Sequence, residues 1–342
     1  MTQRPTIAEI AAAAGVSIPT VSKVLNQRPD VAPTTRERVE RAIMESGYVH
    51  NRSAREDVED HKKQPKLIDL ISPSALDSDY CLEILRGIEE VLNQTDYRLA
   101  LFSMHNNTPR ERLWLSEVSL KTTCGAFLFT SIEPIRHPEK LRKQHIPFVV
   151  IDDVLQIGAD IPSVGATNWV GGLMATEYLL GLGHQRIGTI TGIPSHLTSR
   201  ARLAGYQAAL ASKGIAFDTD LVRPGDFHHE SGYAQTCALL ELPLPPTAIF
   251  AASDLQATGV YQALYEKGLN VPKDMSVIGF DDVPTAERMS PPLTTVRQPL
   301  KEMGRMAAQM LLRMIEGETL ESKRVELATS LVIRESCAPL SH

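Results

Sequence analysis

Alternation of short apolar runs with amphipathic segments most constrains the fold of this chain. The apolar runs are LIDLI (67–71), LALF (99–102), AFLF (126–129), FVVI (148–151), IGTIT (187–191), AIFA (248–251) and VIGF (277–280). The amphipathic segments between them cover 82–94, 171–182, 200–213, 255–267 and 300–316. Strand and helix alternating in this way predict a parallel, doubly wound sheet with helices on both of its faces.

The length of this pattern predicts two lobes. It covers about 275 residues, which is large for a single sheet of this kind. We therefore predict one α/β domain of two lobes over 67–342. We place the chain crossings between the lobes near 152–166, 291–296 and 318–326. The cleft between such lobes is where a ligand is expected to bind.

The N-terminal segment has a different pattern, typical of three short helices. Thr6 and Glu9 have the spacing of a capping box, and Gly15 ends the helix that follows. Ser17 can cap a second helix, and a third is predicted over 33–46. The positions predicted to face inward are Ile7, Ile10, Ala11, Ala14, Val21, Val24, Leu25, Val39 and Ile43.

Three such helices predict a small all-α helix-turn-helix headpiece over 1–48. Its first two helices are too short to be stable alone and need the third to bury their apolar faces. The second helix then presents Thr20, Ser22 and Lys23 outward, where they can reach base edges in a DNA major groove. Residues 49–66 are polar and charged, and are predicted to form a linker.

Charge supports this division. The whole chain has a net charge of −6, whereas residues 1–55 hold eight Lys or Arg and five Asp or Glu, a local excess of +3. A basic N-terminal segment in an acidic chain indicates contact with phosphate.

Several classes of protein are not indicated. No apolar run is long enough to span a bilayer, and the N-terminus lacks an apolar signal core, so we expect a cytoplasmic protein. The four cysteines are far apart and are expected to be free thiols: Cys81, Cys124, Cys237 and Cys337. The sequence has no P-loop, G-x-S-x-G or H-E-x-x-H motif, so we expect no enzymatic activity, metal site or cofactor.

Six motifs in order along the chain give a specific resemblance. They are TIAEIAAAAGVSIPTVSKVLN (6–26), LGHQRIG (182–188), RARLAGY (200–206), PTAIFAASD (246–254) and VPKDMSVIGFDD (271–282), followed by PPLTTVRQP (291–299). The chain resembles the lactose-repressor (LacI/GalR) family over essentially its whole length. The resemblance implies a homodimer that binds a pseudo-palindromic operator. It also implies lobes like those of periplasmic sugar-binding proteins.

The resemblance also implies which residues contact DNA. Ile18, Pro19 and Lys23 stand where the family reads bases, and a lysine there suits the two acceptors of a guanine edge. Thr6 stands where it can contact a phosphate, although helix capping alone explains it equally well. The full set of predicted DNA contacts is Thr6, Ser17, Ile18, Pro19, Thr20, Ser22, Lys23, Asn26, Asn51, Ala54 and Arg55.

The linker departs from the family pattern. The family run after G-Y is close to x-P-N-x-x-A-R-S-L, whose leucine inserts into the minor groove. Here the run is VHNRSARED (49–57), with His50, Glu56 and Asp57 in place of proline, serine and leucine. A carboxylate cannot act as an apolar wedge between bases. Two alternatives remain open: a hinge helix that uses Val58 as a displaced wedge, and a flexible acidic linker.

The resemblance places ligand-binding residues in the cleft. Arg202 matches the family's ligand-binding arginine, and Asp281 the acidic residue that accepts from ligand hydroxyls or amines. The predicted ligand contacts are Tyr80, Asp152, Trp169, Arg202, Phe227, Ser253 and Asp281. Alternatives are a mutual salt bridge for Arg202 and Asp281 and plain packing for Tyr80 and Trp169. His184 is expected to be structural, as is Asp282.

These features predict a sequence-specific repressor whose operator affinity depends on a small carbohydrate. A corepressor such as a purine, a protein partner and a transport-type sugar-binding protein are the alternatives. The C-terminus has no leucine heptad that would form a four-chain bundle, so we predict a dimer.

Overall fold

A computed structural model describes residues 6–25, 28, 31–46, 66–72, 78–103, 123–129, 142, 145–152 and 160–340. The chain divides into two compact units, residues 1–64 and residues 65–342. The division confirms the predicted fold class, in which a small helical unit precedes a large α/β unit.

The first unit contains helices α1 (Ile7–Ala14), α2 (Ile18–Leu25) and α3 (Pro33–Ser46). Thr6 and Glu9 form the predicted capping box, in which the Thr6 hydroxyl accepts from the Glu9 amide and the Glu9 carboxylate accepts from the Thr6 amide. Gly15 ends α1 in the left-handed conformation, with φ 63°, which a glycine adopts without steric cost.

One apolar core holds the three helices together. Ile10, Val21 and Val39 have no exposed surface, and residues from all three helices pack around them.

Among the described residues no single helix is long and apolar enough to cross a membrane. Helices α1 and α2 together have the length and apolar composition of a span, but they are bent by 97°.

The second unit alternates strands with helices. In chain order its elements are β1 (Lys66–Ser72), α4 (Asp79–Leu92), β2 (Tyr97–Ser103), β3 (Thr123–Phe129), β4 (Phe148–Ile151), β5 (Ser163–Ala166), α5 (Asn168–Gly181), β6 (Ile187–Ile190), α6 (Leu197–Ser212), β7 (Val222–Arg223), α7 (His229–Leu240), β8 (Ala248–Ala251), α8 (Asp254–Glu266), β9 (Ser276–Asp281), α9 (Pro284–Arg288), β10 (Thr294–Arg297), α10 (Leu300–Ile315), β11 (Arg324–Leu327) and β12 (Ser330–Val332).

These elements form two lobes, each built on one sheet. Within the described part of the chain the first sheet has the order β11-β5-β4-β3-β1-β2, and the second has the order β12-β10-β9-β8-β6-β7. All pairings are parallel except that of β12 with β10. The middle strands β4, β6 and β8 are buried along their whole length, as expected for parallel strands covered by helices on both faces.

The chain passes between the lobes at three places. The first connection follows β5, at about 166–168. The second joins β10 to α10, at about 297–300, and the third joins β11 to β12, at about 327–330. Each lies slightly downstream of the predicted range, because β5 and β11 belong to the first sheet and β10 to the second. Lys66, assigned to the linker from the sequence, is the first residue of β1.

Two helices of the second lobe approach each other closely enough to position the site. Gly172 of α5 and Gly205 of α6 face the partner helix backbone, and a Cβ added to Gly172 would lie 2.2 Å from the carbonyl oxygen of Arg202. The absence of side chains at these two positions therefore sets where Arg202 stands.

Candidate functional site

Backbone strain marks one region of the α/β unit. Apart from His145, the described non-glycine residues with positive φ are Asp152, Phe227, Asp281 and Asp282. Asp152 follows β4, and Asp281 ends β9, so both lie at the carboxyl ends of parallel strands. Such conformations cost on the order of 1 kcal/mol each and cluster at functional sites, which makes this region the candidate site.

Arg202 lies at the centre of this region and is 4 % exposed. Its Nε donates to Oδ1 of Asn168 at 2.8 Å, and its Nη1 donates to the carbonyl of Ala252. Its guanidinium carbon lies 3.7 Å from the centroid of the Phe280 ring and 5.5 Å from that of Phe227. The guanidinium is therefore held rigidly, with aromatic rings near its faces.

Asp281 faces Arg202. The Nη1 of Arg202 lies 3.8 Å from Oδ1 of Asp281, and the same oxygen accepts a hydrogen bond of 2.7 Å from Nε2 of Gln298. Burial raises the pKa of Asp281 to about 7, although Arg202 and the Gln298 hydrogen bond lower it. The carboxyl thus titrates near neutrality and can accept from, or donate to, a bound hydroxyl group.

The first lobe contributes Asp152 and Tyr80. Burial raises the pKa of Asp152, and the positive charge of Arg202 across the cleft opposes that rise. Burial also raises the pKa of the Tyr80 phenol, with further contributions from the carboxylates of Asp152 and Asp281. Asp152 and Tyr80 of the first lobe therefore lie close enough to Arg202 and Asp281 of the second for their charges to affect one another.

Phe227 and His196 form one side of the site. Their ring centroids are 6.2 Å apart, and a Cβ added to Gly192 would lie 1.9 Å from the Phe227 ring. Ser253 has a different environment, since its hydroxyl donates to the carbonyl of Phe227 at 2.8 Å and accepts from the amide of Gln256 at 3.0 Å. It caps α8 and supports Phe227 from behind.

Trp169 lies in the first turn of α5 and is 45 % exposed. It is adjacent to Asn168, the residue that holds Arg202. The indole is therefore exposed rather than packed in the core, and its stacking on a ligand ring stays a prediction.

Two further carboxylates are structural. Asp282 accepts hydrogen bonds from Arg297 and Arg334, as expected for a structural residue. Asp254 is fully buried at the start of α8, where it accepts from the Thr295 hydroxyl and from the amide of Val283 at 3.0 Å. His184, also expected to be structural, contacts Thr247, Ser276 and Ala338.

The structure thus brings together Tyr80, Asp152, Arg202, Phe227 and Asp281, and their binding role stays a prediction. Sequence reasoning missed four neighbours of these residues: Asn168, His196, Ser199 and Gln298. Gln298 follows strand β10 within the motif PPLTTVRQP (291–299), so its place at a strand end was a usable signal. The other three have no signal without the tertiary contacts. The described residues contain no group of His, Cys, Asp or Glu that could hold a metal ion.

The predicted DNA contacts of α2 are on the surface of the first unit. Ser17, Ile18, Pro19 and Lys23 are exposed, whereas Thr20 is half-buried, as is Ser22. The hydroxyls of Ser17 and Thr20 lie 2.9 Å apart. The remaining predicted DNA contacts lie outside the described residues: Asn26, Asn51, Ala54 and Arg55. The linker segment 49–57, for which two alternatives were open, also lies outside them.

Comparison with known proteins identifies the family. Residues 6–51 match the family described as bacterial regulatory proteins, lacI family, and residues 176–337 match the periplasmic binding protein-like domain. The chain is 36 % identical to the HTH-type transcriptional regulator CelR of Thermobifida fusca over 336 residues, which cover 98 % of each chain. The chain belongs to the lacI family of bacterial regulatory proteins.

Solved structures agree. A transcriptional regulator CelR–cellobiose complex matches this lacI-family chain with a TM-score of 0.75 and 33 % identity, covering 97 % of this chain and 100 % of that one. The lac repressor dimer bound to operator and the anti-inducer ONPF matches with a TM-score of 0.69 and 28 % identity, covering 98 % and 100 %. This lacI-family protein is therefore a helix-turn-helix transcriptional regulator.

Proposed function

We propose that this regulator is a repressor whose operator affinity is controlled by a small carbohydrate bound between its two lobes. The observation that carries the proposal is the arrangement of Arg202 and Asp281 on one lobe with Asp152 and Tyr80 on the other. These four groups converge at the carboxyl ends of the strands, the place where open α/β sheets bind ligands.

The chemistry of the cleft supports a carbohydrate. Buried carboxylates accept from hydroxyl groups, and Phe227 and Trp169 offer aromatic faces to the apolar side of a sugar ring. The structurally similar CelR complex holds cellobiose, a neutral sugar, which supports the same ligand class here.

Coupling between the cleft and the operator follows from linkage. A ligand that contacts both lobes binds more tightly at one angle between them than at another. Only this difference in affinity can shift the equilibrium between the two arrangements of the lobes. If the lobe angle affects operator binding, then sugar and DNA must affect each other's affinity by the same factor. We propose that sugar releases DNA, and a corepressor is the second reading, distinguished by the sign of this coupling.

We propose a homodimer as the working form, and a first-lobe face supports it. Strand β2 is the edge of the first sheet, where Leu101 is 49 % exposed beside half-buried Leu99 and Leu85 of α4. A second copy of the chain would cover this apolar face, and the similar lac repressor was solved as a dimer. Sedimentation at dimer mass is expected, and a monomer or tetramer would contradict it.

We propose that the chain has no catalytic role and acts on DNA in the nucleoid. Asp282, the neighbour of Asp281 in the chain, accepts hydrogen bonds from Arg297 and Arg334, and these contacts oppose a role in proton transfer. Its ion pairs leave Asp281 as an acceptor for ligand rather than as half of a catalytic dyad.

Two linked experiments test the proposal. Calorimetric titration of the full chain with mono- and disaccharides should find a sugar that binds the wild type and fails to bind Asp281→Ala. DNA sequences enriched from a random pool by the full chain should then be released by that sugar. A sugar that tightens DNA binding would favour the corepressor reading, and binding to a single protein from the host in place of any sugar would favour a protein partner.

A further inference from the structure

We infer that the cleft selects an uncharged, polyhydroxylated effector and rejects phosphorylated or acidic forms of the same sugar. This inference rests on the proposed function and specifies the ligand class of the same site. It is carried by the distribution of buried charge, by the contacts of Arg202 and by buried neutral atoms that lack partners.

Among the buried residues that the structure describes, carboxyl groups outnumber the side chains of Lys and Arg. Arg202 is the only Lys or Arg among the buried described residues, whereas Asp69, Asp152, Asp254 and Asp281 are buried carboxyl groups. Asp152 and Asp281 face Arg202, and the carboxyl group of Asp281 helps to raise the pKa of the buried Asp254. An anion entering this space would meet two carboxyl groups and one guanidinium, and each carboxyl group repels it to the extent that it is ionised, in surroundings where like charges repel strongly.

Arg202 is also poorly placed to bind an anion through a fork of two donors. Its Nε donates to Asn168 and its Nη1 donates to the carbonyl of Ala252, and Nη1 also lies 3.8 Å from Oδ1 of Asp281. The Phe280 ring lies 3.7 Å from the guanidinium carbon. A phosphate or carboxylate is bound tightly by parallel N–H donors of one guanidinium, and that geometry would require breaking contacts that already exist.

Neutral polar atoms complete the pattern. His196 Nδ1, Ser199 Oγ and Gln298 Oε1 are buried and have no hydrogen-bond partner among the described residues. His196 lies against Phe227, Ser199 precedes Arg202 by three positions on α6, and Gln298 holds Asp281.

These atoms need partners because buried polar groups are nearly always hydrogen-bonded. Burial lowers the pKa of His196 and so favours its neutral ring, and a neutral imidazole has one acceptor nitrogen. Acceptors together with a hydroxyl group match the alternating donors and acceptors of sugar hydroxyls.

Matched pairs of ligands test the inference on the full chain. Calorimetry compares ribose with ribose 5-phosphate, glucose with glucose 6-phosphate, galactose with galacturonate and cellobiose with cellobionate. For a pair whose neutral member binds, we expect the charged member to bind at least 100-fold more weakly. Asp152→Asn should narrow that ratio by about tenfold, whereas Asp96→Asn, at an exposed turn before β2, should leave it unchanged.

Each outcome has a definite meaning. A charged member that binds as well as its neutral partner overturns this inference and leaves the proposed function standing. The inference is also overturned if the neutral ligand binds 100-fold more tightly than the charged one and Asp152→Asn leaves that ratio unchanged. The carboxyl group of Asp152 would then not be the cause of the discrimination. Failure of every sugar, neutral or charged, contradicts the proposed function itself and this inference with it.

Discussion

The hydroxyl of Thr285 donates a hydrogen bond of 2.7 Å to Oδ2 of Asp79, and this bond joins the two lobes. Asp79 begins α4 of the first lobe, and Thr285 lies in α9 of the second. Next to it, Val283 of the second lobe packs into the apolar core of the first. The two lobes are therefore in contact at Asp79, which directly precedes the cleft residue Tyr80 in the sequence.

Removal of this hydrogen bond should weaken effector binding. A hydrogen bond to a charged group contributes roughly 1.5–3 kcal/mol, and its loss favours lobes that are further apart. We expect Thr285→Val to raise the effector's dissociation constant about tenfold, measured by calorimetry on the full chain. Thr319→Val, at an exposed position after α10, is the control. Equal affinities for wild type and Thr285→Val would show that the contact does not distinguish ligand-bound from free lobes.

A methyl group at Gly172 should displace Arg202. The added Cβ would lie 2.2 Å from the carbonyl oxygen of Arg202, so α5 and α6 must separate. Overpacking of this kind costs roughly 1–3 kcal/mol, and we expect Gly172→Ala to lower the free energy of unfolding by that amount and to abolish sugar binding.

Gly181→Ala on the same helix provides the matched control. A Cβ at Gly181 meets nothing within 4 Å, so its substitution should leave sugar affinity unchanged and raise helix stability slightly. Urea unfolding and calorimetry measure both variants. Sugar binding that survives Gly172→Ala would show that the α5–α6 contact does not position Arg202.

The sequence predicts the central strands, and it identifies Arg202 and Asp281 as candidate ligand residues, for physical reasons. Buried parallel strands need continuous apolar runs, so β4 and β8 are visible as FVVI and AIFA. β10 has the sequence TTVR, and its buried threonines are satisfied by tertiary hydrogen bonds, which leave no apolar run to detect.

The same distinction applies within the candidate site. Arg202 and Asp281 both lie in motifs, and Asp281 also ends strand β9, so the sequence locates them. Asn168 and Gln298 owe their roles to single contacts with those two residues, made across 34 and 17 positions of the chain. Pairing over such distances depends on how the elements pack, and periodicity does not encode it.

Stability should fall as the pH rises from about 5 to 8, in part because of Asp281. Burial raises the pKa of this carboxyl to about 7 in the folded chain, whereas in the unfolded chain it is about 3.9. The folded state therefore keeps a proton that the unfolded state releases, so this contribution is full below about pH 4 and is lost as the pH rises through 7. Burial shifts Asp152 and Asp254 in the same direction.

Asp281→Asn should reduce the loss of stability with rising pH, because an amide does not titrate. We expect urea unfolding between pH 5 and 8 to show a shallower decline for Asp281→Asn than for the wild type. Asp274→Asn is the control with the opposite sign, since hydrogen bonds from Asn270 lower the pKa of Asp274 and its contribution is lost only in acid. Identical slopes for wild type and Asp281→Asn would exclude Asp281 as a titrating group in this range.

Replacement of Lys23 should weaken DNA binding without unfolding the headpiece. Lys23 is exposed on α2, while Val21 and Val24 beside it form the core, so Lys23→Ala removes a contact and leaves the packing intact. We expect the dissociation constant for the enriched operator to rise at least tenfold. Lys213→Ala, at an exposed position after α6, should have no effect.

The salt dependence of the Lys23→Ala variant identifies what the lysine contacts. Loss of a phosphate contact lowers the slope of log K against log salt by about 1 and weakens all sequences equally. Loss of a base contact leaves that slope nearly unchanged and relaxes the preference at one position of each half-site, as expected for a lysine that binds guanine. Binding across single-base operator variants at several salt concentrations separates the two cases, and unchanged affinity in all of them would remove Lys23 from the DNA interface.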